Sequence, residues 1–327
     1  MKKTFRILAG CLLAPALGLA AQAFAQASAY PRQPVKVLVP YSPGGLPDTV
    51  ARVVGQKLSE KWGQAVVVEN KPGGNGVVSA QALISAAPDG YTLMISDISM
   101  FVINPFIYSK LPYDPQKDFT SISLIARAPL FLAVQPSLPA NNFQEFVALA
   151  KAKPGTLSYG SSGVGSIHHL TFESIKSALG IDVLHVPFKG TSQSVPAVVA
   201  GQVSAVFSAF PSLAGFAKEG KLKLIAVNSK ERSSLAPDVA TIAETTIPGF
   251  DFAPSIGIWG PSGMPPAIAN KIAADVSDLL KDPAFAERLH VLGIDPVGLG
   301  PHAFEQQLAA DRERYQRAVK VAGAKAD

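Results

Sequence analysis

The chain has 327 residues, of which 48% are hydrophobic and 16% are charged, and its formal net charge is +5. This length and hydrophobicity allow a large buried core and favour two domains over one. The first 29 residues hold three basic and no acidic residues, so the rest of the chain carries 26 basic and 24 acidic residues. Because no basic run remains, we expect no nucleic-acid partner.

The first 29 residues have the pattern of a secretory signal peptide. Basic residues at the start precede an apolar stretch over 7–21, and small residues over 23–29 offer two A-x-A cleavage sites. Cys11 also completes a lipoprotein processing box, but the apolar run before it is only a few residues long, so we do not expect lipidation. The sequence predicts a periplasmic protein that begins at Gln26 or Tyr30. Without Cys11, the only cysteine, the mature chain has no disulfide.

A glycine-rich turn joins the first predicted strand to the first predicted helix. The β-branched run Val35–Val39 predicts a buried strand, Pro43-Gly44-Gly45 predicts a turn, and helical spacing of apolar residues begins near Pro47. Such a turn presents unpaired N–H groups at the positive end of the helix dipole. It can hold a carboxylate or a phosphate, or it can be an ordinary connection between strand and helix.

The next sixty residues repeat this pattern. A strand over 65–69, a turn over 70–76, a helix over 77–86 and a strand over 91–96 are predicted. The turn contains a second Pro-Gly-Gly sequence. Alternating strands and helices are typical of a parallel, helix-covered sheet, in which ligands bind beyond the carboxyl ends of the strands. Two such turns at successive strand ends favour a binding site.

A second set of strands and helices follows the irregular segment 99–120. Strands are predicted over 122–125, 130–134, 157–159, 182–186, 205–208 and 222–227, and helices over 142–152, 167–178, 192–200 and 213–219. The turn over 160–166, GSSGVGS, adds serine hydroxyls to the backbone donors. It is no dinucleotide fingerprint, because a third glycine would fall at His168. The last third contains an extended run over 252–260 and helices over 267–280, 283–293 and 302–322.

No catalytic or metal-binding motif is evident. No serine lies in a G-x-S-x-G motif, and the five histidines lack the spacing of zinc ligands. His168 and His169 are adjacent, so on a helix they point about 100° apart and are poorly placed to share a metal. We therefore expect no catalytic residue, metal or cofactor. The alternative is a secreted hydrolase or lyase that uses the same cleft.

Many short segments, in order along almost the whole mature chain, resemble the Bug (TctC-like) extracytoplasmic solute receptors of tripartite tricarboxylate transporters. The matching segments lie at 39–45 (VPYSPGG), 68–73 (VENKPG), 87–93 (APDGYTL), 103–105 (INP), 111–115 (LPYDP), 150–155 (AKAKPG), 185–190 (HVPFKG) and 201–203 (GQV).

This resemblance implies a type II-like, two-lobed periplasmic-binding-protein fold of class α/β. Each lobe would be a mostly parallel, helix-covered sheet, with the ligand in the cleft between lobes. The signal peptide would cover 1–29, the first lobe 30–127 and 254–327, and the second lobe 128–253. We expect a monomer that captures a small organic carboxylate by flytrap closure. It would deliver this ligand to membrane subunits of a tripartite tricarboxylate-type transporter, or to a sensor.

The resemblance also assigns the ligand-binding residues, which are expected to act largely through main-chain N–H groups. They are Tyr41, Ser42, Gly44, Gly45 and Asp48 in the first loop, Asp97 after the third strand, Ser161, Ser162, Gly163 and Ser166 in the Ser/Gly turn, and Phe188, Gly190 and Ser208 beyond it.

Two departures from the family pattern bear on the ligand. Pro47 replaces a usual hydroxyl residue, and Ser208 replaces a usual acid that would help to hold a ligand ammonium group. If Met100, Phe101 and Phe210 line the cleft, an apolar or aromatic carboxylate should bind better than aspartate, glutamate or citrate. Otherwise these three side chains belong to the core.

Overall fold

The computed structural model describes residues 30–41 and 43–326. The strands are β1 Val35–Val39, β2 Val66–Asn70, β3 Thr92–Asp97, β4 Phe119–Arg127, β5 Leu130–Val134, β6 Ser158–Ser161, β7 Leu184–Pro187, β8 Ala205–Ala209, β9 Lys223–Val227, β10 Ser255–Pro261 and β11 Asp295–Leu299. The α-helices are α1 Leu46–Trp62, α2 Val77–Ile84, α3 Ser99–Val102, α4 Asn104–Ile107, α5 Phe143–Ala152, α6 Ile167–Leu179, α7 Thr191–Val199, α8 Phe210–Lys218, α9 Ile242–Thr245, α10 Pro266–Lys281, α11 Pro283–Val291 and α12 Pro301–Ala322. A 3₁₀ turn, Gly74–Gly76, precedes α2.

The strands form two sheets. The first sheet has the order β11-β4-β10-β3-β1-β2, and the second has the order β7-β6-β8-β5-β9. In the first sheet β1 runs parallel to β2 and β3, whereas β10 and β11 pair in the antiparallel sense. In the second sheet β6 runs parallel to β7 and β8, and β5 runs antiparallel to β8 and β9.

The α/β class and the two sheets confirm the predicted fold, but the sheets are mixed rather than mostly parallel. Antiparallel pairs occur around β4, β5 and β10. These strands lie next to the segments in which the chain passes from one sheet to the other. A strand entering a sheet in this way needs no helical crossover and can run against its neighbours.

The first strand and helix form for reasons visible in their sequence. β1 lies between β2 and β3 and is buried at four of its five positions, which suits its run of valine and leucine. The helix α1 buries Val50, Val54 and Leu58 on one face. It ends at Gly63, whose φ of 63° fits the left-handed C-cap that glycine adopts without steric cost.

The chain crosses between the sheets in two segments, and Asn228 joins them. Leu130, after the first crossing, donates its N–H to Asn228 Oδ1 at 2.8 Å, and Asn228 Nδ2 donates to the carbonyl of Phe252 at 2.9 Å. The main chain of Asn228 also bonds to both residues. Asn228 is fully buried. One side chain therefore connects the outgoing and the returning segment.

The helix α12 packs against elements of both sheets. Phe304 and Leu308 share a hydrophobic cluster with Trp259 of the first sheet and with Leu170 and Phe172 of α6, which covers the second sheet. The two halves of the molecule thus share part of their core through α12. Within residues 30–41 and 43–326, no helix combines the length and the apolar character needed to cross a bilayer.

Candidate functional site

The loop after β1 is shaped by hydrogen bonds that it makes on its inner side. Gly44, with φ of +88°, donates its N–H to Asp48 Oδ2 at 2.9 Å. Asn70 Nδ2 donates both to the carbonyl of Tyr41 at 3.0 Å and to Asp48 Oδ1 at 2.9 Å. Arg52 adds a bond from Nε to Asp48 Oδ2 at 3.0 Å. The backbone of this loop is therefore held by the side chains of β2 and α1.

Asp48 is the centre of this arrangement. Its side chain is buried, and both carboxylate oxygens accept hydrogen bonds. Burial alone would raise the pKa of Asp48, but the hydrogen bonds from Arg52, Gly44 and Asn70 outweigh it and hold the pKa below its ordinary value. The carboxylate is thus charged and stabilises the positive-φ turn at Gly44.

Asp97 ends β3 and lies beside Tyr41. Its Oδ1 accepts the N–H of Ser99 at 2.8 Å, which fixes the start of α3. Burial raises the pKa of the Asp97 carboxyl, and burial together with the Asp97 charge raises the pKa of Tyr41. Tyr41, Gly44, Asp48 and Asp97 therefore form one connected group. Ser42 lies outside the described residues.

The turn after β6 is also held from within. Ser161 is fully buried, and its Oγ accepts the N–H of Gly163 at 3.0 Å. Ser166 caps α6 by accepting the N–H of His169 at 3.3 Å, and its Oγ donates to the carbonyl of Gly163 at 2.7 Å. These two hydroxyls therefore shape the turn. Ser162, in the same turn, is partly exposed.

A third loop, between β7 and α7, packs against this turn. The N–H of Phe188 donates to the carbonyl of Ser161 at 3.1 Å. A Cβ added to Gly163, where φ is +114°, would lie 3.6 Å from the Phe188 carbonyl oxygen. Gly190 begins α7. Ser208 lies on the neighbouring strand β8, fully buried, and its Oγ has no hydrogen-bond partner among the described residues.

Three helices begin without a side-chain cap where strands end near these loops. They are α1 at Gly45, α7 at Gly190 and α8 at Ala209. By contrast, Asn142 caps α5 and Thr241 caps α9. The helices α2, α3, α4, α10 and α12 also lack a side-chain cap, so the missing cap is informative only together with the position of the first three helices. At that position their free N–H groups can donate hydrogen bonds to an anion.

The structure also shows a histidine pair that sequence reasoning missed. His185 Nε2 lies 2.7 Å from Ser161 Oγ, and the rings of His169 and His185 stack with centroids 4.2 Å apart. The two residues lie on α6 and β7, so their proximity depends on tertiary packing. His168 lies apart from this contact, and its buried Nδ1 has no hydrogen-bond partner among the described residues.

The two groups of candidate residues lie on different sheets. Among the described residues, no hydrogen bond joins Tyr41, Gly44 and Asp48 to the Ser161 turn. The two halves of the molecule nevertheless come into contact nearby. Gly165 lies so close to Ile107 that a Cβ added to the glycine would be 3.1 Å from Ile107 Cδ1. A Cβ added to Gly293 would similarly lie 2.8 Å from Pro211 Cδ.

Two of the three apolar candidates belong to the core. Met100 and Phe101 are buried, and Phe101 stacks on Trp259 with ring centroids 4.1 Å apart. Of the two alternatives that the sequence left open for Met100 and Phe101, cleft wall or core, their burial supports the core. Phe210 is partly exposed and packs against Phe131.

A cavity elsewhere does not provide a better site. It has a volume of about 360 Å³, and Arg127, Lys230, His290 and Asp295 are among its lining residues. Arg127 is paired with Asp251 at 2.6 Å, and His290 lies 3.3 Å from Asp295. Because two of its basic groups already face carboxylates, the cavity is poorly suited to an anion. No group of three or more metal-ligating side chains occurs in the described part of the chain.

Two sheets, joined by crossing segments and bearing helix N-termini at their strand ends, define the periplasmic binding protein class. Solved structures agree. The chain superposes on R. palustris Rpa4515 with adipate with a TM-score of 0.82 and 30% identity, covering 90% of this chain and 99% of that one. For MatC (Rpa3494) from Rhodopseudomonas palustris with bound malate, the TM-score is 0.75 and the identity 30%, covering 89% of this chain and all of that one.

Sequence comparison gives the family. Residues 50–323 match the model of the tripartite tricarboxylate transporter family receptor, TctC. BugT of Bordetella pertussis is 31% identical over 300 residues, which cover 91% of this chain and 92% of BugT. The chain belongs to this receptor family, as its sequence segments predict.

Proposed function

We propose that the chain captures a small organic carboxylate between its lobes and delivers it to a membrane transporter of the tripartite tricarboxylate type, or to a sensor. The observation that carries this proposal is the set of uncapped helix N-termini at Gly45, Gly190 and Ala209. They belong to both halves of the molecule and lie at strand ends. A carboxylate between them would satisfy backbone donors that no side chain satisfies.

The ligand-binding residues are those assigned from the family resemblance. Neither 41–45 nor 161–166 contains a lysine or arginine, so in these two loops main-chain N–H groups would hold the carboxylate. Ser161, Ser166 and Asp48 would position these donors, because their polar atoms are engaged within the loops. A buried acceptor that loses one such donor costs about 1–3 kcal/mol, and more when it is charged.

Closure of the lobes would occur about the crossing segments. The first lobe would comprise 30–127 and 254–327, and the second lobe 128–253. Asn228 supports this assignment, since its hydrogen bonds join both crossing segments at one point. Hinges of this kind absorb domain closure in a few backbone torsions. We further propose that the protein acts in the periplasm as a monomer after removal of its signal peptide.

The enzymatic alternative has one observation in its favour, the short Ser161–His185 contact. A serine and a histidine at this distance can form a nucleophile–base pair. However, Ser161 is fully buried, and its Oγ accepts the N–H of Gly163. A hydroxyl engaged in this way supports the turn rather than acting as a nucleophile, so we assign the contact a structural role and propose no enzymatic activity for the protein.

A ligand screen tests the proposal. Thermal unfolding of the mature protein is measured with adipate, malate, citrate, aspartate or glutamate in excess. The affinity and stoichiometry of each stabilising compound are then measured by calorimetry. At least one carboxylate should raise Tm and bind with 1:1 stoichiometry. NMR of the incubated mixture should show the carboxylate unchanged. Conversion of the ligand would favour the enzymatic alternative, and the absence of stabilisation by any organic anion in a wider carboxylate library would refute the receptor proposal.

A further inference from the structure

Four stacked rings lie beneath the Ser161 turn. Phe172 stacks on Tyr159 with centroids 3.9 Å apart, Tyr159 on His185 at 4.9 Å, and His185 on His169 at 4.2 Å. His169 is buried and belongs to the first turn of α6.

The hydrogen bond of His169 determines its protonation state. The N–H of Gly165 donates to His169 Nδ1 at 3.2 Å. Since an amide nitrogen can only donate, Nδ1 must carry a lone pair, and the proton of the neutral ring is on Nε2. A protonated ring would place an N–H group directly against the amide of Gly165.

Gly165 lies against the other lobe. Its φ is +77°, and an added Cβ would lie 3.1 Å from Ile107 Cδ1. The next residue, Ser166, caps α6 and bonds to Gly163. Gly165 therefore lies inside the hydrogen-bonded turn from Gly163 to Ser166, so the direction of its amide is part of the shape of that turn.

The surroundings keep the ring neutral. Burial lowers the pKa of His169, with Glu173 raising it and Lys176 lowering it by smaller amounts. Burial and the neighbouring His169 lower the pKa of His185 to about 4. Glu173 is itself occupied, because Tyr159 Oη and Lys176 Nζ donate to its carboxylate at 2.7 and 2.8 Å. Among the described residues, the ionisable groups that act on His169 are Glu173 and Lys176 on α6 and His185 on β7.

We propose that His169 is a positioning residue of the anion site: its uncharged imidazole, through Nδ1, holds the Gly165 amide and so the Gly163–Ser166 turn. Acid should release the turn and weaken anion binding. The inference rests on the proposed function in one respect, because it takes this turn to be part of the ligand site.

Two variants separate positioning from simple packing. His169→Asn places an amide oxygen near the position of Nδ1, where it can accept the Gly165 N–H but cannot titrate. His169→Leu fills the space without an acceptor. The exposed His302, on α12, provides the control variant His302→Asn. Amide hydrogen exchange at Gly165 is measured without ligand in all four proteins, from neutral to acid pH and corrected for intrinsic exchange rates. A ¹⁵N–¹H long-range spectrum of the wild-type protein reports the tautomer directly.

At neutral pH the wild-type protein should show His169 protonated on Nε2 alone. His169→Leu should lose about tenfold in Gly165 protection, the effect of one hydrogen bond, while His169→Asn and His302→Asn stay near wild type. In acid, protection should fall in the wild-type protein but not in His169→Asn. A proton on Nδ1 at neutral pH, or wild-type protection in His169→Leu, would overturn the inference. Because no ligand is present, these results stand apart from the carboxylate screen, whose failure would instead refute the receptor function.

Discussion

Replacement of Asp48 by asparagine should destabilise the protein far more than its position on a surface helix suggests. The carboxylate accepts hydrogen bonds from Gly44, Asn70 and Arg52, and it is 3% exposed. An asparagine side chain is uncharged and has only one acceptor oxygen. It would leave either the Gly44 N–H or the Asn70 amide facing another donor.

The magnitude follows from these contacts. Hydrogen bonds to a charged group contribute about 1.5–3 kcal/mol each, and the Gly44 and Asn70 bonds are the ones at risk. The Arg52 pair adds little, because the Arg52 side chain is 52% exposed and water can replace the carboxylate. Allowing for partial rescue by the amide oxygen, we expect Asp48→Asn to lower the free energy of unfolding by about 2–3 kcal/mol.

Urea denaturation of the wild-type protein and two variants measures this loss. Glu60→Gln is the matched control, because Glu60 also pairs with a cation on α1 but is exposed, and it should leave stability unchanged. The folded-state pKa of Asp48 is lowered, so its contribution is present above the unfolded pKa of about 3.9 and is lost as the pH falls through the folded pKa. The free energies of unfolding of the wild-type protein and of Asp48→Asn should therefore converge in acid. Equal stability of Asp48→Asn and Glu60→Gln at neutral pH would refute this account of the loop.

Three further predictions concern binding and closure. Gly163→Ala should weaken carboxylate binding by at least about tenfold, whereas Gly180→Ala, also at positive φ but at the other end of α6, should cost about 1 kcal/mol of stability and leave affinity unchanged. Saturating ligand should reduce the radius of gyration in small-angle scattering, and an unchanged value would contradict flytrap closure. Asn228→Ala leaves the Leu130 N–H and Phe252 carbonyl short of a partner, so we expect a loss of about 2–4 kcal/mol in urea denaturation; wild-type stability would argue against Asn228 as the joint between crossings.

Elements with strong local patterns were predictable. The valine-rich run predicts β1 over its observed range, and the predicted bounds of α1 and α12 lie within one or two residues of the observed ones. The strand β11, Asp295–Leu299, was missed because proline and glycine occupy two of its five positions. Its pairing with β4 at the edge of the first sheet decides its conformation. The short helices α3 and α4 have too few residues to show a period.

The candidate site was predictable only as a set of turns. Glycine at positive φ at positions 44 and 163 agrees with the sequence pattern that indicated them. The inward bonding of Asp48 and the contact between His169 and His185 depend on residues distant in sequence. Neither pattern nor composition could show them. The apolar character of Met100 also could not show whether this residue lines the cleft or lies in the core, where the structure places it.

Turns supported from inside leave their outer positions free to vary. Ser162 and Val164 are partly or largely exposed, and neither supplies the hydrogen bonds that shape the Gly163–Ser166 turn. Substitution at such positions changes what surrounds a ligand, while the amide groups stay where they are. Evolution can therefore exchange one ligand for another without rebuilding the turn. We expect specificity in such proteins to diverge faster than the backbone that supports it.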